Sequence, residues 1–339
     1  MENIENKMSL VKETKYILEK LGHNPRKRFG QNFLISENTI KNIIQKSEIT
    51  KDDLVIEIGP GIGSLTKYLL ESAKEVICIE IDNDLSSFLE DRFRLYDNFK
   101  LINEDVLKVD LEKKVLESGY KRENIKIVAN LPYYITTPII LSLLDLDISD
   151  ITVMVQKEVA ERFTEKSLSK KRSNITYIIE FEADAKILFN VSKNNFMPAP
   201  KVDSSIISLK LKTKEEKKKL ILDAVKELKE DTEAENEAEN EAENKSNNEY
   251  KNIDFDLKNI CTELSFEEVF KIKEEALDII KHGFMHKRKK LISALKLANK
   301  YDISKIEKGM DILNISKDIR AEKINLNEYI KLSYIYLFL

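Results

Sequence analysis

The chain has 339 residues, 42% of them hydrophobic and 34% charged, which gives room for two domains and excludes a disordered or fibrous composition. No charged n-region leading into an apolar run opens it, and no apolar stretch approaches the roughly 18 residues that a membrane span needs, so no membrane association is expected. Two cysteines, Cys78 and Cys261, and three histidines form neither a disulfide framework nor a metal cluster, which implies a reducing, cytoplasmic setting and no metal. The net charge of −4 hides an asymmetry, because nine acidic residues and one lysine lie between positions 230 and 249. The remainder is basic, with clusters at Pro25–Arg28, Lys166–Arg172, Lys212–Lys219 and His286–Lys290. Such clusters serve either as phosphate contacts for a nucleic acid or as a solvated surface.

In chain order, short β-rich runs alternate with helical patterns: "LVIEIG" (54–59), "VICIEID" (76–82), "KLINED" (100–105), "IKIVANL" (125–131), "ITVMVQ" (151–156) and "SIISLKL" (205–211). Strands that are apolar on both faces and separated by helices predict a parallel α/β sheet, with an antiparallel addition near its end. Beyond residue 213 only helical patterns remain, and the tail "YIYLFL" reads as a last helix packing home. The expected organisation is an N-terminal helical extension (1–23), an α/β domain (24–213) and a smaller helical C-terminal domain (214–339). The three "EAEN" repeats between Glu233 and Asn244 cannot bury a core. They read as a disordered or loosely helical insertion at about 230–249.

"EIGPGIGSLT", Glu57 to Thr66, joins a strand to a helix through Gly59, Gly61 and Gly63, where a backbone can turn tightly and approach a ligand. A dinucleotide site would want glycine at position 64, where this chain has serine. The pattern instead resembles motif I of the S-adenosylmethionine-dependent methyltransferases. Ligands of open α/β sheets sit beyond the carboxyl ends of the strands. Glu80 closes the second strand, where a carboxylate can accept both ribose hydroxyls, and Asp105 closes the third, placed for the exocyclic amine of the cofactor's adenine. Either acid alone would read as a solvated strand end or a helix cap.

"ANLPYYITTPII", Ala129 to Ile140, ends the fourth strand with an amide, a proline and two tyrosines. "N-L-P-Y" resembles the motif of enzymes that methylate an exocyclic amine of a nucleobase. Asn130, through its side-chain oxygen, and Leu131, through its backbone carbonyl, can accept the two amine hydrogens. Pro132 has no N–H and a fixed φ, which would hold that carbonyl outward. Tyr133 offers a stacking face for the base. The plain structural alternative is a proline-terminated strand with core tyrosines.

"KRFGQNFL" (27–34), "EIGPGIGSLT", "NLPYYITTPII", "VQKEVAERF" (155–163) and "FMPAPKVDS" (196–204) occur in the order seen in the KsgA-type ribosomal RNA adenine N6,N6-dimethyltransferases, over about residues 24–212 and more weakly from Gly283 onward. The resemblance implies a Rossmann-like methyltransferase sheet, S-adenosyl-L-methionine as cofactor, and dimethylation of two adjacent adenosines in the last hairpin loop of small-subunit rRNA. The expected partner is an immature 30S-type particle, met by a monomer. It further implies cofactor binding by Asn32, Leu34, Gly59, Gly61, Glu80, Asp105 and Asn130. The catalytic group it implies is Asn130, Leu131, Pro132, Tyr133 and Phe196, the last as a second aromatic wall for a flipped adenine. Lys201 is either a phosphate contact or a surface lysine.

Arg172, Ser173 and Glu180 stand where the family usually has a Tyr-Gly pair and a glutamine, and "KRKKLISAL" (287–295) has Ser293 in place of an asparagine. Two other readings share the fold: an erythromycin-resistance-type methylase of large-subunit rRNA, and a nucleic-acid-binding relative such as the mitochondrial transcription factors. The motif wording favours the small-subunit enzyme over the first, and the intact Gly59, Glu80, Asp105 and Asn130 set speaks against the second.

Overall fold

The β-rich runs of the sequence assemble into one seven-stranded sheet. In this computed structural model, which describes residues 8–22, 31–242 and 264–338, the strands are β1 (Phe33–Leu34), β2 (Leu54–Ile58), β3 (Glu75–Glu80), β4 (Phe99–Asn103), β5 (Ile125–Asn130), β6 (Asp150–Gln156), β7 (Ala183–Val191), β8 (Phe196–Met197) and β9 (Ser204–Leu211). The sheet order is β4-β3-β2-β5-β6-β9-β7, and β1 pairs with β8 in a separate two-stranded sheet. Strands β4 to β6 run parallel, whereas β9 pairs antiparallel with both β6 and β7. All five residues of β2 are buried, as a strand covered on both faces requires. The order reverses beside β2, which places a crevice at the carboxyl ends of β2, β3 and β5.

The chain divides into two units, 1–164 with 182–211, and 165–181 with 212–339. Helices of the first unit are α1 (Leu10–Lys20), α2 (Glu37–Lys46), α3 (Thr66–Ser72), α4 (Asn83–Arg92), α5 (Leu111–Glu117), α6 (Thr136–Leu143) and α7 (Lys157–Phe163). Their starts follow polar caps: Ser36 accepts from Thr39 N, Asp82 from Asp84 N and Asp110 from Lys113 N. Helix α1 groups with this unit rather than standing apart as an extension. Glu13 forms a buried ion pair with Arg92, and Arg92 Nη1 donates to the Ile62 carbonyl at 2.9 Å.

The second unit holds α8 (Asn174–Glu182, its last residue counted with the first unit), α9 (Lys214–Ala242), α10 (Phe266–Met285), α11 (Leu291–Ala298), α12 (Ile303–Ile312) and α13 (Leu326–Phe338). Ile272, Ile279, Leu295, Met310, Ile330 and Leu332 lie in one apolar core there. One sequence expectation needs correction. Residues 165–181, expected within the α/β domain, group with the helices, because Tyr177 Oη donates to the Ile324 carbonyl at 2.6 Å and Lys287 Nζ to the Arg172 carbonyl at 2.6 Å. The acidic segment, expected to be disordered or loosely helical, is helical as far as Ala242, where it continues α9, since alanine and glutamate are good helix formers. The rest of that segment lies outside the described residues.

Candidate active site

The glycine turn after β2 has a left-handed backbone at Gly59, Gly61 and Gly63, with φ of 68°, 61° and 82°. At Gly63 a Cβ would sit 2.5 Å from the Phe93 ring, so both conformation and space require glycine. The freed backbone is used immediately: Gly61 N donates to Glu80 Oε2 at 3.1 Å.

Glu80 is 5% exposed at the end of β3, and its other oxygen accepts from Asp82 N at 2.9 Å. Burial pushes its carboxyl up, while the amides of Asp82 and Gly61 hold it down. A carboxylate has about four acceptor positions, so two such bonds leave acceptors for ribose hydroxyls. Asp105 is half-buried, and its Oδ1 accepts from Leu107 N at 3.1 Å. Glu57 is 2% exposed, accepts from Thr66 Oγ1 at 2.6 Å and from Cys78 Sγ at 3.5 Å, and is pushed up to about 7 by burial.

Asn130 ends β5, and its Nδ2 donates to the Asn32 carbonyl at 3.1 Å. That bond makes Oδ1 the accepting end of the amide. Leu131 N is tied to the Met154 carbonyl, Pro132 has φ −61°, and a 3₁₀ turn over Tyr133–Ile135 follows, braced by Thr136 Oγ1 on the Pro132 carbonyl. Tyr133 Oη and Ser204 Oγ are 2.6 Å apart.

One cleft brings these groups together. Asn32, Leu34, Gly59, Gly61, Glu80 and Asp105 line it, and so do Asn130, Leu131, Pro132 and Tyr133. The N-terminal strap is fastened beside it by Gln31 Nε2 on Asp82 Oδ2, by the β1·β8 pairing and by Ile35 N on the Asn195 carbonyl. Asn32, expected among the cofactor-binding residues, meets Asn130 through its main-chain carbonyl.

Phe196 is not part of the cleft wall. It pairs with Leu34 in β8, is 3% exposed, and packs with Ile40, Met154 and Ile206. An aromatic at that strand position falls on the core side, so the expected second aromatic wall is a core ring in this structure. Lys201 lies instead in a shallow surface hollow with Lys157, Lys193 and Asp203. Arg172 and Glu180 pair with each other in the helical unit, where the Arg172 guanidinium also lies 3.9 Å from the centre of the Tyr177 ring.

Sequence reasoning missed three cleft residues with unusual exposure. Ile81, Leu107 and Tyr134 are 42%, 44% and 55% exposed and line the same opening. Ile81 and Leu107 lie beside or two positions from the strand-end acids Glu80 and Asp105, which was the available signal, and Tyr134 follows Tyr133. Ser204, at the end of the run leading into β9, carries no such signal in the sequence.

The donor set fits S-adenosyl-L-methionine: a glycine turn open to close approach, a buried acceptor-only group at Glu80, a second acid at Asp105 and an apolar rim. Sheet order, glycine turn and strand-end acids together define a Rossmann-like methyltransferase. A family model described as ribosomal RNA adenine dimethylase matches residues 22–225, and the chain belongs to that family. Curated relatives include the ribosomal RNA small subunit methyltransferase A of Clostridium botulinum (strain Langeland), 48% identical over 198 residues that cover 58% of this chain and 70% of the relative. The protein of the same name from Lachnoclostridium phytofermentans is 49% identical over 203 residues, covering 59% and 70%. Among solved structures, a dimethyladenosine transferase from Plasmodium falciparum aligns with a TM-score of 0.61 at 22% identity, covering 88% of this chain and 95% of that one. The 23S rRNA methyltransferase ErmE aligns with a TM-score of 0.58 at 20% identity, covering 90% and 99%. At those identities the two structures speak for the fold alone. No helix of the described residues is long and apolar enough to cross a membrane.

Proposed function

We propose that the chain is an rRNA adenine N6,N6-dimethyltransferase that modifies two adjacent adenosines in the loop of the 3′-terminal hairpin of 16S rRNA. It acts in the cytoplasm, as a monomer, on an immature 30S-type particle. The observation that carries the reading is the Asn130 amide. Its nitrogen is committed to the Asn32 carbonyl and its oxygen is left as an acceptor in the cleft that also holds Glu80 and the glycine turn.

When bound, S-adenosyl-L-methionine supplies an electrophilic methyl group. An adenine amine is a poor nucleophile because its lone pair is delocalised into the ring. Asn130 Oδ1 and the Leu131 carbonyl accept its two hydrogens and direct the lone pair out of the ring plane. Pro132 offers no N–H to compete, and Tyr133 stacks on the base, which contributes about 1–3 kcal/mol. As the new N–C bond forms, the methyl's bond to sulfur breaks and the sulfonium departs as a neutral thioether; the amine is left cationic and strongly acidic, so its proton passes to water and no side chain is required as a base. Positioning supplies most of the acceleration. A base paired in a duplex could not enter, so the target is unstacked or already in a loop, at a cost of about a few kcal/mol. Basic residues of the helical unit, His286–Lys290 among them, dock the RNA backbone.

The test supplies labelled S-adenosylmethionine with immature small subunits, or with large-subunit RNA, and digests the product. Dimethyladenosine from small subunits is expected. Label confined to large-subunit RNA would replace this reading with the erythromycin-resistance type, and no label in either would leave a binding protein.

A further inference from the structure

Ser204 is the first residue of β9, is fully buried, and faces Gln156 of β6 on one side and Val191 of β7 on the other. The residue before it is fixed twice: Lys157 N donates to the Asp203 carbonyl at 3.1 Å, and Lys193 N to Asp203 Oδ1 at 2.9 Å. The hydroxyl of Ser204 is therefore a rigid point held by three strands and the start of α7. It stands 2.6 Å from Tyr133 Oη, while the same tyrosine lines the cleft. Tyr133 itself begins a single 3₁₀ turn, which offers little intrinsic hold on its ring.

We infer that Ser204 is a positioning residue that pins the phenol of Tyr133, so that the ring meets the target adenine in one fixed orientation. This rests on the methyl transfer proposed above. A stacking face already held in place loses less freedom when the base arrives, which favours the reactive arrangement. Burial raises the Tyr133 phenol, which keeps it neutral and able to share a proton with Ser204 at any working pH. The "PKVDS" run thus acts on the base through Tyr133, a role distinct from the wall first sought in Phe196 of the same segment.

The experiment uses the full chain with Ser204→Ala, Tyr133→Phe and the double variant, assayed on immature small subunits. Each single change is expected to lower kcat by about three- to tenfold, the worth of one hydrogen bond. The double variant should fall no further than either single one, with KM for S-adenosylmethionine unchanged throughout. Ring-labelled tyrosine gives a readout independent of turnover. The Tyr133 resonances, assigned by their loss in Tyr133→Phe, should broaden or average in Ser204→Ala as the ring flips faster. Unaltered Tyr133 resonances in Ser204→Ala, or single effects that multiply in the double variant, would overturn the pinning. No dimethyladenosine from the wild-type enzyme, together with the spectral change in Ser204→Ala, would overturn only the functional reading.

Discussion

The two units use their buried polar groups in opposite ways. In the α/β unit, the buried Glu57 and Glu80 and the half-buried Asn130 are gathered at strand ends and line a cleft. In the helical unit, the Arg172 guanidinium lies against the Tyr177 ring and pairs with Glu180, and Tyr177 and Tyr329 both donate to the Ala321 carbonyl. Polar atoms of the first kind are held by one or two bonds and keep capacity for a ligand, whereas those of the second kind fasten residues 165–181 to the helices. A charged residue in a basic stretch is thus no guide to its role, since Arg172 belongs to a lysine-rich run yet is 1% exposed.

The largest effect that would break this contrast is at Asn130. Asn130→Ala removes the acceptor for the amine, and methyl incorporation into immature small subunits should drop by at least about a hundredfold, as when one transition-state hydrogen-bonding group is lost. Cofactor affinity measured by calorimetry should fall much less. Wild-type turnover in this variant would remove the amide from the mechanism.

A second prediction concerns Glu57. Its carboxyl is raised from 4.5 to about 7 by burial, so the folded state holds the proton more tightly than the unfolded one. The stability this proton contributes is present in full below pH 4.5 and is lost as pH rises through about 7, a difference of about 3 kcal/mol. Urea unfolding from pH 4.5 to 8 should show wild type losing ground to Glu57→Gln, which stays neutral throughout. Parallel pH profiles would mean that the carboxyl is already ionised at pH 5.

In the helical unit, Glu180→Ala leaves the Arg172 cation buried beside Tyr177 without its acid, at a cost of about 2 kcal/mol in denaturant unfolding. Cofactor affinity should stay at the wild-type value, because none of these groups lines the cleft. A matching loss of affinity would show that the two kinds of buried polar group are coupled.

The smallest effect is expected from the acidic segment. Asp231 pairs with Lys331 at 2.8 Å and Thr232 is buried, so the removable part begins at Glu233. Deleting residues 233–249 should leave methylation within about twofold of wild type, since its composition buries no core. A collapse in activity would give the insertion a role.

Much of this was readable in the sequence for definite reasons. The parallel strands announce themselves as apolar runs, and a glycine turn followed by acids at successive strand ends has few other uses. Strand β7 did not show, because "ADAKILFNV" is an edge strand with a register shift near Ile187 and follows α8 without a break. Phe196 was misplaced because a motif gives order along the chain and not the side of a strand on which a ring falls. The Asn32 carbonyl was invisible for a related reason: a main-chain contact leaves no trace in residue identity. Arg172 and Glu180 read in the sequence as departures from the family pattern, and their pairing through eight positions of chain is apparent only once α8 is in place.

The Glu13–Arg92–Ile62 connection has a practical meaning for anyone shortening or tagging this enzyme. The helix over residues 10–20 braces the glycine turn that lines the cleft. Trimming back to residue 21 removes Glu13 and leaves the Arg92 guanidinium buried without its acid, so denaturant unfolding should register a loss of stability together with weaker donor retention.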